Sequence, residues 1–245
     1  MKEFQKVPQT YEELQSSYDH LYKGWMGSHR NVNQTLKILK LLKPNPGEKI
    51  VDIGCGTGYL LDAAGEYQLK PFGIDLSRRA LRISQEKNKL KPLVAQAAAE
   101  NLPWPTGYFD HAVILGSLEH FLDPAQAIKE TGRVLKPGGK AAILVPNSHH
   151  IRAIYNVYKF GEILSDDQDY ERFATRTEWE HLFISNGLSV ASVHKFDTGM
   201  ARAHKKGREF FWFIYNVLFK IFGNSWIPLN LTYTFIFICQ PSGDQ

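Results

Sequence analysis

The stretch KIVDIGCGTG, residues 49–58, constrains the fold more than any other part of the chain. Ile50, Val51 and Ile53 form a short β-rich apolar run of the kind a buried parallel strand needs, because such a strand is covered on both faces. The run breaks into Gly54, Gly56 and Gly58, alternating with Cys55 and Thr57, and Tyr59, Leu60, Leu61 and Ala63 resume at helical spacing. Strand, glycine turn and helix in that order place bare backbone at the carboxyl edge of a sheet and aim the open N–H groups of a new helix at an electron-rich ligand. The spacing narrows that ligand. A dinucleotide fingerprint would put its third glycine at position 59, where Tyr59 stands, and no Lys followed by Ser or Thr completes a phosphate-binding P-loop. Asp52 beside the loop would repel a pyrophosphate and suits a ligand carrying an ammonium or other positive charge.

The same strand–helix alternation continues downstream. Lys70–Ile74 reads as a second strand ending in Asp75, and Ser77 caps a helix over Arg78–Lys87. An acid at this place, about 20 residues after a glycine loop, can accept both hydroxyls of a ribose; the alternative is a turn or cap residue. Leu93–Ala97 makes a third strand, followed by AAAENLPWP, residues 97–105. Tyr108–Leu115 makes a fourth, followed by GSLEHFLDP, in which Asp123 caps and Pro124 opens a helix to Leu135. Lys136, Pro137, Gly138 and Gly139 then turn into a fifth strand, AAILVPN.

VDIGCGTG closely resembles the first motif of class I S-adenosylmethionine-dependent methyltransferases. With GIDLS, LEHF-x-DP, RVLKPGG and ILVPN following in order, the resemblance covers residues 48–147 and falls in the small-molecule ("type 11"), quinone-methyltransferase-like branch. It implies a Rossmann-like, doubly wound α/β fold. The expected sheet has seven mostly parallel strands in the order 3-2-1-4-5-7-6, the last antiparallel, with helical lid elements. It also implies S-adenosyl-L-methionine as cofactor, with S-adenosyl-L-homocysteine as product. The expected contacts are Asp52, Gly54, Cys55, Gly56 and Gly58 from the first loop, then Asp75, Leu76 and Ser77 after strand two, with Leu76 on the adenine face. Ala98, Ala99 and Glu100 follow strand three, and Leu115, Gly116 and Ser117 close strand four. One position departs from the family: the acid that often holds the adenine amino group is Ala98 here, so the Ala99 N–H and Glu100 are expected to rearrange that contact.

Glu119 and His120 lie just beyond strand four, where an acceptor would stand. His120 is the candidate general base, since imidazole exchanges protons near neutral pH; the alternative is that it only orients the acceptor. Some quinone O-methyltransferases add a Glu three residues before such a Glu-His pair and bind a divalent metal. That position is Gly116, so no metal is expected.

Outside residues 48–147 the pattern thins. Residues 11–42 read as two helices, the second striped by Val32, Leu36, Leu39 and Leu42. Tyr18, Tyr22 and Trp25 either pack the first helix on the sheet edge or form a lid over the cofactor. Ile151, Ile154, Tyr155 and Tyr158 share one helical face on the acceptor side, and SDDQDYERF reads as a charged loop. Thr177 and Glu180 form a capping box for a helix through Asn186 that Gly187 ends; Ser189–Phe196 and Leu231–Cys239 read as the last two strands. Between them a basic cluster, Arg202, Lys205, Lys206 and Arg208, precedes FFWFIYNVLFKIF, too short to span a bilayer. Residues 205–227 are a core helix, a wall of a greasy acceptor pocket, or a membrane-interface helix.

At 245 residues the chain reads as one domain, 1–245, divided into N-terminal helices or lid (1–47), a cofactor core (48–147) and an acceptor-side part (148–245). A net charge of +4 is too small and scattered for nucleic acid. Two cysteines and an N-terminus without an apolar signal core point to a cytoplasmic chain, with peripheral membrane contact left open. The expected activity is in-line methyl transfer to a small acceptor that is aromatic, isoprenoid or lipid-linked. Two readings compete: a non-catalytic cofactor-binding scaffold anchored through 205–227, and a nicotinamide-dependent oxidoreductase, which Tyr59 disfavours.

Overall fold

The computed structural model describes Pro8 and residues 10–24, 32–88, 91–161, 172–196, 209–222 and 225–243. Helices α1 (Tyr11–Gly24) and α2 (Val32–Leu42) precede β1 (Lys49–Ile53), α3 (Tyr59–Glu66), β2 (Lys70–Asp75), α4 (Arg78–Lys87) and β3 (Leu93–Gln96). Then come β4 (Phe109–Leu115), α5 (Pro124–Val134), β5 (Leu135–Pro146), α6 (Ile151–Phe160), α7 (Arg176–Ile184), β6 (Leu188–Phe196), α8 (Glu209–Phe222) and β7 (Thr234–Pro241). The strands form one sheet in the order β3-β2-β1-β4-β5-β7-β6. The first five run parallel, and β7 is antiparallel to both β5 and β6, as the resemblance implied.

Two apolar layers explain why the central strands are apolar at nearly every position. Val51, Ile53, Ile74, Ala112 and Ile114 face one side, under Ile128 of α5 and Trp179 and Phe183 of α7. Ile50, Val113, Leu115 and Leu144 face the other, under Ile38, Leu39 and Leu42 of α2 and Leu60 of α3. Alternate residues enter opposite layers, so each strand is buried on both faces. Phe109, wholly buried, anchors one end of the first layer, with the Phe72, Trp104 and Tyr108 rings edge-on at 5.2, 5.0 and 4.9 Å.

Several boundaries differ from expectation. The capping box at α7 is Thr175 with Glu178, not Thr177 with Glu180, and the helix ends at Ile184 rather than Asn186. Thr-x-x-Glu occurs in both registers; the upper one buries Trp179 and Phe183, and Glu180 instead pairs with Arg176 at 2.6 Å. The expected turn at residues 136–139 is held inside β5 as a bulge, since Leu135 pairs with Phe109 and Lys140 with His111 while Gly138 takes a φ of +76°. β7 begins at Thr234, because residues 229–231 form a 3-10 turn. The core reading of 205–227 fails for the described side chains of α8, where Phe213 and Ile221 are 66% and 65% exposed and Ile214, Val217 and Phe222 are exposed too, while Ile227 beyond the helix is buried. The central strands are already covered on both faces, which leaves this helix no interior to enter. The basic cluster at 202–208 and most of the charged loop at 165–173 lie outside the described residues. Among the described residues, no helix is long and apolar enough to cross a membrane.

Candidate functional site

The glycine loop is shaped by close approaches that a side chain would block. Gly54 and Cys55 both donate their N–H to the Ile74 carbonyl, at 2.9 and 2.8 Å, which folds the loop across the end of β2. Gly54 has a φ of +78°, and a Cβ there would lie 2.7 Å from Ser117 Oγ. Ser117 Oγ donates to the Gly54 carbonyl at 3.3 Å, so the turns after β1 and β4 touch. Gly58 ends the loop at a φ of +82°, where a Cβ would overlap Ser84 Oγ and come within 2.6 Å of Asn88 Nδ2.

Asp75 ties this loop to the next helix. One carboxylate oxygen accepts from Gly56 N–H and the other from Ser77 N–H, both at 2.8 Å. These two bonds fix the carboxylate at the end of β2, beside the loop. Ser77 itself is fully buried and caps α4, accepting from Ala80 N–H at 3.1 Å.

Helix α1 closes the opposite wall. Asp19 accepts from Ser77 Oγ at 2.5 Å and from Arg79 N–H at 3.2 Å, and Arg79 Nε donates to the Tyr22 carbonyl at 3.0 Å. Partial burial works to raise the Asp19 carboxyl, but the bonds from Ser77, Arg79 and Gln15 and the Arg78 charge hold it below its ordinary value. The carboxylate therefore stays charged at the N-terminus of α4, where the helix dipole favours it.

Between α1 and the sheet edge lies a cavity of about 820 Å³ including its open mouth. It brings together Gly54, Asp75, Leu76, Gly116 and Ser117 from the strand ends with Ala98, Ala99 and Glu100 after β3. His120, Tyr18 and Tyr22 also line it, the Tyr18 ring standing edge-on to His120 at 6.3 Å. Trp25 lies outside the described residues. Asp52 is 1% exposed within β1, Cys55 packs against Leu61 and Leu81, and Leu115 belongs to the second apolar layer. These three, with Gly56, Gly58 and Ser77, shape the loop from beneath and do not line the cavity. Tyr155 sits apart on α6, its ring against Phe160 at 6.0 Å. The sequence reading missed Tyr11, Leu14, Leu21, Ile74, Ala97 and Phe121. Tyr11, Leu14, Tyr18 and Tyr22 recur at helical spacing, a stripe that would have exposed the first two.

The His120 end is braced from behind. Residues 118–120 form a 3-10 turn, and Gly116, at a φ of +58°, donates to the Leu144 carbonyl at 3.0 Å. Arg172 N–H donates to the Glu119 carbonyl at 3.0 Å, and its guanidinium donates to the carbonyls of Phe121 and Leu122. Glu100 Oε1 accepts from Asp123 N–H at 3.1 Å. Burial, with the negative charges of Glu100 and Asp123, pushes the Tyr11 phenol up, so it keeps its proton. Among the described residues, no group of three or more His, Cys, Asp or Glu side chains could hold a metal ion.

Residues 51–143 match the family described as "Methyltransferase domain". Demethylmenaquinone methyltransferase of Staphylococcus carnosus is 27% identical over 229 residues, covering 84% of this chain and 95% of that protein. The chloroplastic 2-methyl-6-phytyl-1,4-hydroquinone methyltransferase of Arabidopsis thaliana is 34% identical over 139 residues, covering 56% of this chain and 40% of that protein. Among solved structures, an S-adenosylmethionine-dependent methyltransferase of Thermotoga maritima superposes with a TM-score of 0.64 at 20% identity, covering 94% of this chain and 99% of that one.

Proposed function

The chain is a class I S-adenosylmethionine-dependent methyltransferase of the small-molecule branch, and from that premise we propose that it methylates an aromatic, quinol-type acceptor held between α1 and the carboxyl edge of the sheet. The observation that carries the acceptor class is the aromatic wall beside His120. Tyr18 stands edge-on to that imidazole at 6.3 Å, and Tyr11, Tyr22 and Phe121 line the same cavity, a lining that suits a planar ring by edge and face contacts. The relatives named for demethylmenaquinone and hydroquinone substrates support the same class. Their methyltransferase activity also sets aside the scaffold and oxidoreductase alternatives.

The cavity's own residues fit the cofactor. Ile74, Leu76, Ala97 and Ala98 offer a flat apolar slot for a purine, and Asp75 beside it would accept the ribose hydroxyls. Ala99 N–H and Glu100 would meet the adenine edge in place of the acid absent at Ala98. The Gly54 turn and Gly116 would face the amino-acid end, with Asp52 beneath them. S-adenosylmethionine, when bound, supplies an electrophilic methyl group on sulfonium for in-line displacement. His120 takes the proton of the acceptor hydroxyl, raising the nucleophilicity of the ring oxygen and of the carbons conjugated to it. If a ring carbon takes the methyl, the resulting dienone re-aromatises by losing that carbon's proton to solvent once the site opens, and His120 returns its proton to the ring oxygen. Tyr18 sets the imidazole's orientation, and α1 excludes water from the reacting groups. In this reading, residues 1–47 are the lid, 48–147 the cofactor half and 148–245 the acceptor half.

A second observation favours peripheral membrane contact by the same enzyme. The exposed apolar side chains of α8 follow a basic stretch in sequence, a pairing that suits an anionic bilayer surface. Equal flotation with anionic and neutral vesicles would remove the charge argument.

The test of the proposed activity is transfer of labelled methyl from S-adenosylmethionine to 1,4-naphthohydroquinone kept reduced. Label in the ring product is expected, with His120→Ala lowering kcat about 100-fold while S-adenosylhomocysteine affinity stays unchanged. Transfer to amines but to no hydroquinone would overturn the acceptor class.

A further inference from the structure

A second and larger cavity, about 1130 Å³ with its open mouth, runs along α6 beyond the end of β5. Helix α6 is turned inside out. Its polar residues Arg152 and Asn156 are buried, at 8% and 0% exposure, while Ile154, Val157 and Tyr158 stand 45%, 53% and 85% exposed. The polar face is anchored in place. The Arg152 guanidinium lies over the Tyr233 ring at 4.9 Å, and the His150 ring meets the same tyrosine edge-on at 4.8 Å. His150 Nδ1 caps the helix by accepting from Ala153 N–H at 3.2 Å. The helix is thus held with its apolar side facing the cavity, where Phe173, 49% exposed, forms the other wall. Apolar side chains gathered this way around an open space mark a ligand surface.

One segment of the chain contacts both this cavity and the loop that carries His120. Phe173 lies between Arg172, which grips the carbonyls of residues 119, 121 and 122, and Ala174, whose carbonyl accepts from Ser148 N–H at 3.1 Å. One short segment therefore touches both the loop that carries His120 and the exit of β5. Burial and the Arg152 charge push His150 down to about 4, so this lining residue is neutral at physiological pH. The polar side chains of the described lining, Ser148, His149 and His150, are consecutive at the start of α6 and leave the rest of the wall apolar.

We infer that the α6 cavity holds an isoprenoid or alkyl chain of the acceptor whose ring stands at His120. The inference rests on the quinol-type reading of the acceptor only for the ring; the chain site can be tested without it. The probe is geranylgeraniol, titrated into the full chain by calorimetry, with farnesol as the shorter comparison. Saturable binding of geranylgeraniol is expected, tighter than farnesol. The doubly substituted Ile154→Asp/Val157→Asp chain, altered only at exposed positions, should bind at least tenfold more weakly while its S-adenosylhomocysteine affinity stays within twofold. No binding by the unsubstituted chain, or equal binding by the variant, would overturn the inference. A dimer lost in the variant with prenyl-alcohol affinity unchanged would overturn it in favour of a second copy of the chain. In the methyl-transfer assay the variant should raise KM for a chain-bearing hydroquinone and leave the chainless one unaffected. If neither hydroquinone is methylated, the acceptor ring is wrong, and the alcohol titration still decides the chain site.

Discussion

The two cavities at the carboxyl edge of this sheet are built by opposite means. The one over β1 and β2 rests on a floor shaped by backbone, with positive-φ glycines and N–H groups folded onto Ile74 and Asp75, under an aromatic helix docked through Asp19. The one along α6 is made from exposed apolar side chains on a helix whose polar residues are buried. Backbone recognition requires particular residues at particular spacings, because only glycine tolerates the conformation and the contact. Apolar recognition requires only area and shape, which many sequences supply. A ligand common to a whole family suits the first kind of site, and an acceptor that varies among relatives suits the second.

Substitutions that act on one cavity and spare the other test this contrast. The largest expected effect is Gly54→Ala. A left-handed φ costs an ordinary residue about 1–2 kcal/mol, and forcing a methyl against Ser117 about 1–3 more, so S-adenosylhomocysteine affinity should fall on the order of 100-fold. Geranylgeraniol affinity should not change; an equal fall in both would show that the two cavities are one cooperative unit.

On the α6 side, His150 carries a pH signature. Burial first, and the Arg152 charge second, hold its imidazole at about 4 against 6.5 when exposed. Between those values the unfolded chain binds the extra proton, so stability falls as pH drops through this window, by up to about 3 kcal/mol in total. His150→Asn keeps a cap acceptor and should remove that part of the slope, read by urea unfolding at pH 7 and pH 4.5. A slope unchanged in the variant would place the titration elsewhere.

Arg172 is the joint between the halves. Arg172→Ala removes two guanidinium bonds to the loop behind His120 and should lower kcat about tenfold with cofactor-product affinity preserved. It should also blunt the preference for chain-bearing acceptors, an outcome that mere loss of stability does not produce. The smallest effect is expected for Asp19→Ala, which loosens α1 from α4 and should weaken S-adenosylhomocysteine binding about fivefold, roughly 1 kcal/mol. No change would mean that α1 closes the cavity by apolar contact alone.

The same contrast decides what could be read from the sequence. The glycine loop, the Ser77 cap and the Asp123–Pro124 helix start were all legible, since each rests on a residue type that its local geometry demands. The register of α7 was not, because Thr-x-x-Glu occurs twice in succession and only the burial of Trp179 and Phe183 distinguishes the two. Of Ile151, Ile154, Tyr155 and Tyr158, expected on one helical face, only Ile154 and Tyr158 line the cavity, and periodicity cannot say whether such a face looks inward or outward. Only the burial of Arg152 and Asn156 does. Helix α8 raised the same ambiguity, and the filled layers on both sides of the central strands resolve it. Tyr11 and Leu14 were missed for another reason: they belong to the site only because α1 folds back across strand ends that follow it by some forty residues or more.

The most direct measurement is calorimetric titration of S-adenosylhomocysteine into the unsubstituted chain and into Asp75→Ala. Saturation near one equivalent is expected for the first, with at least a tenfold loss of affinity in the second. Failure of the unsubstituted chain to bind, or equal affinity in the two, would contradict the assignment of the cofactor to the cavity between α1 and the glycine loop.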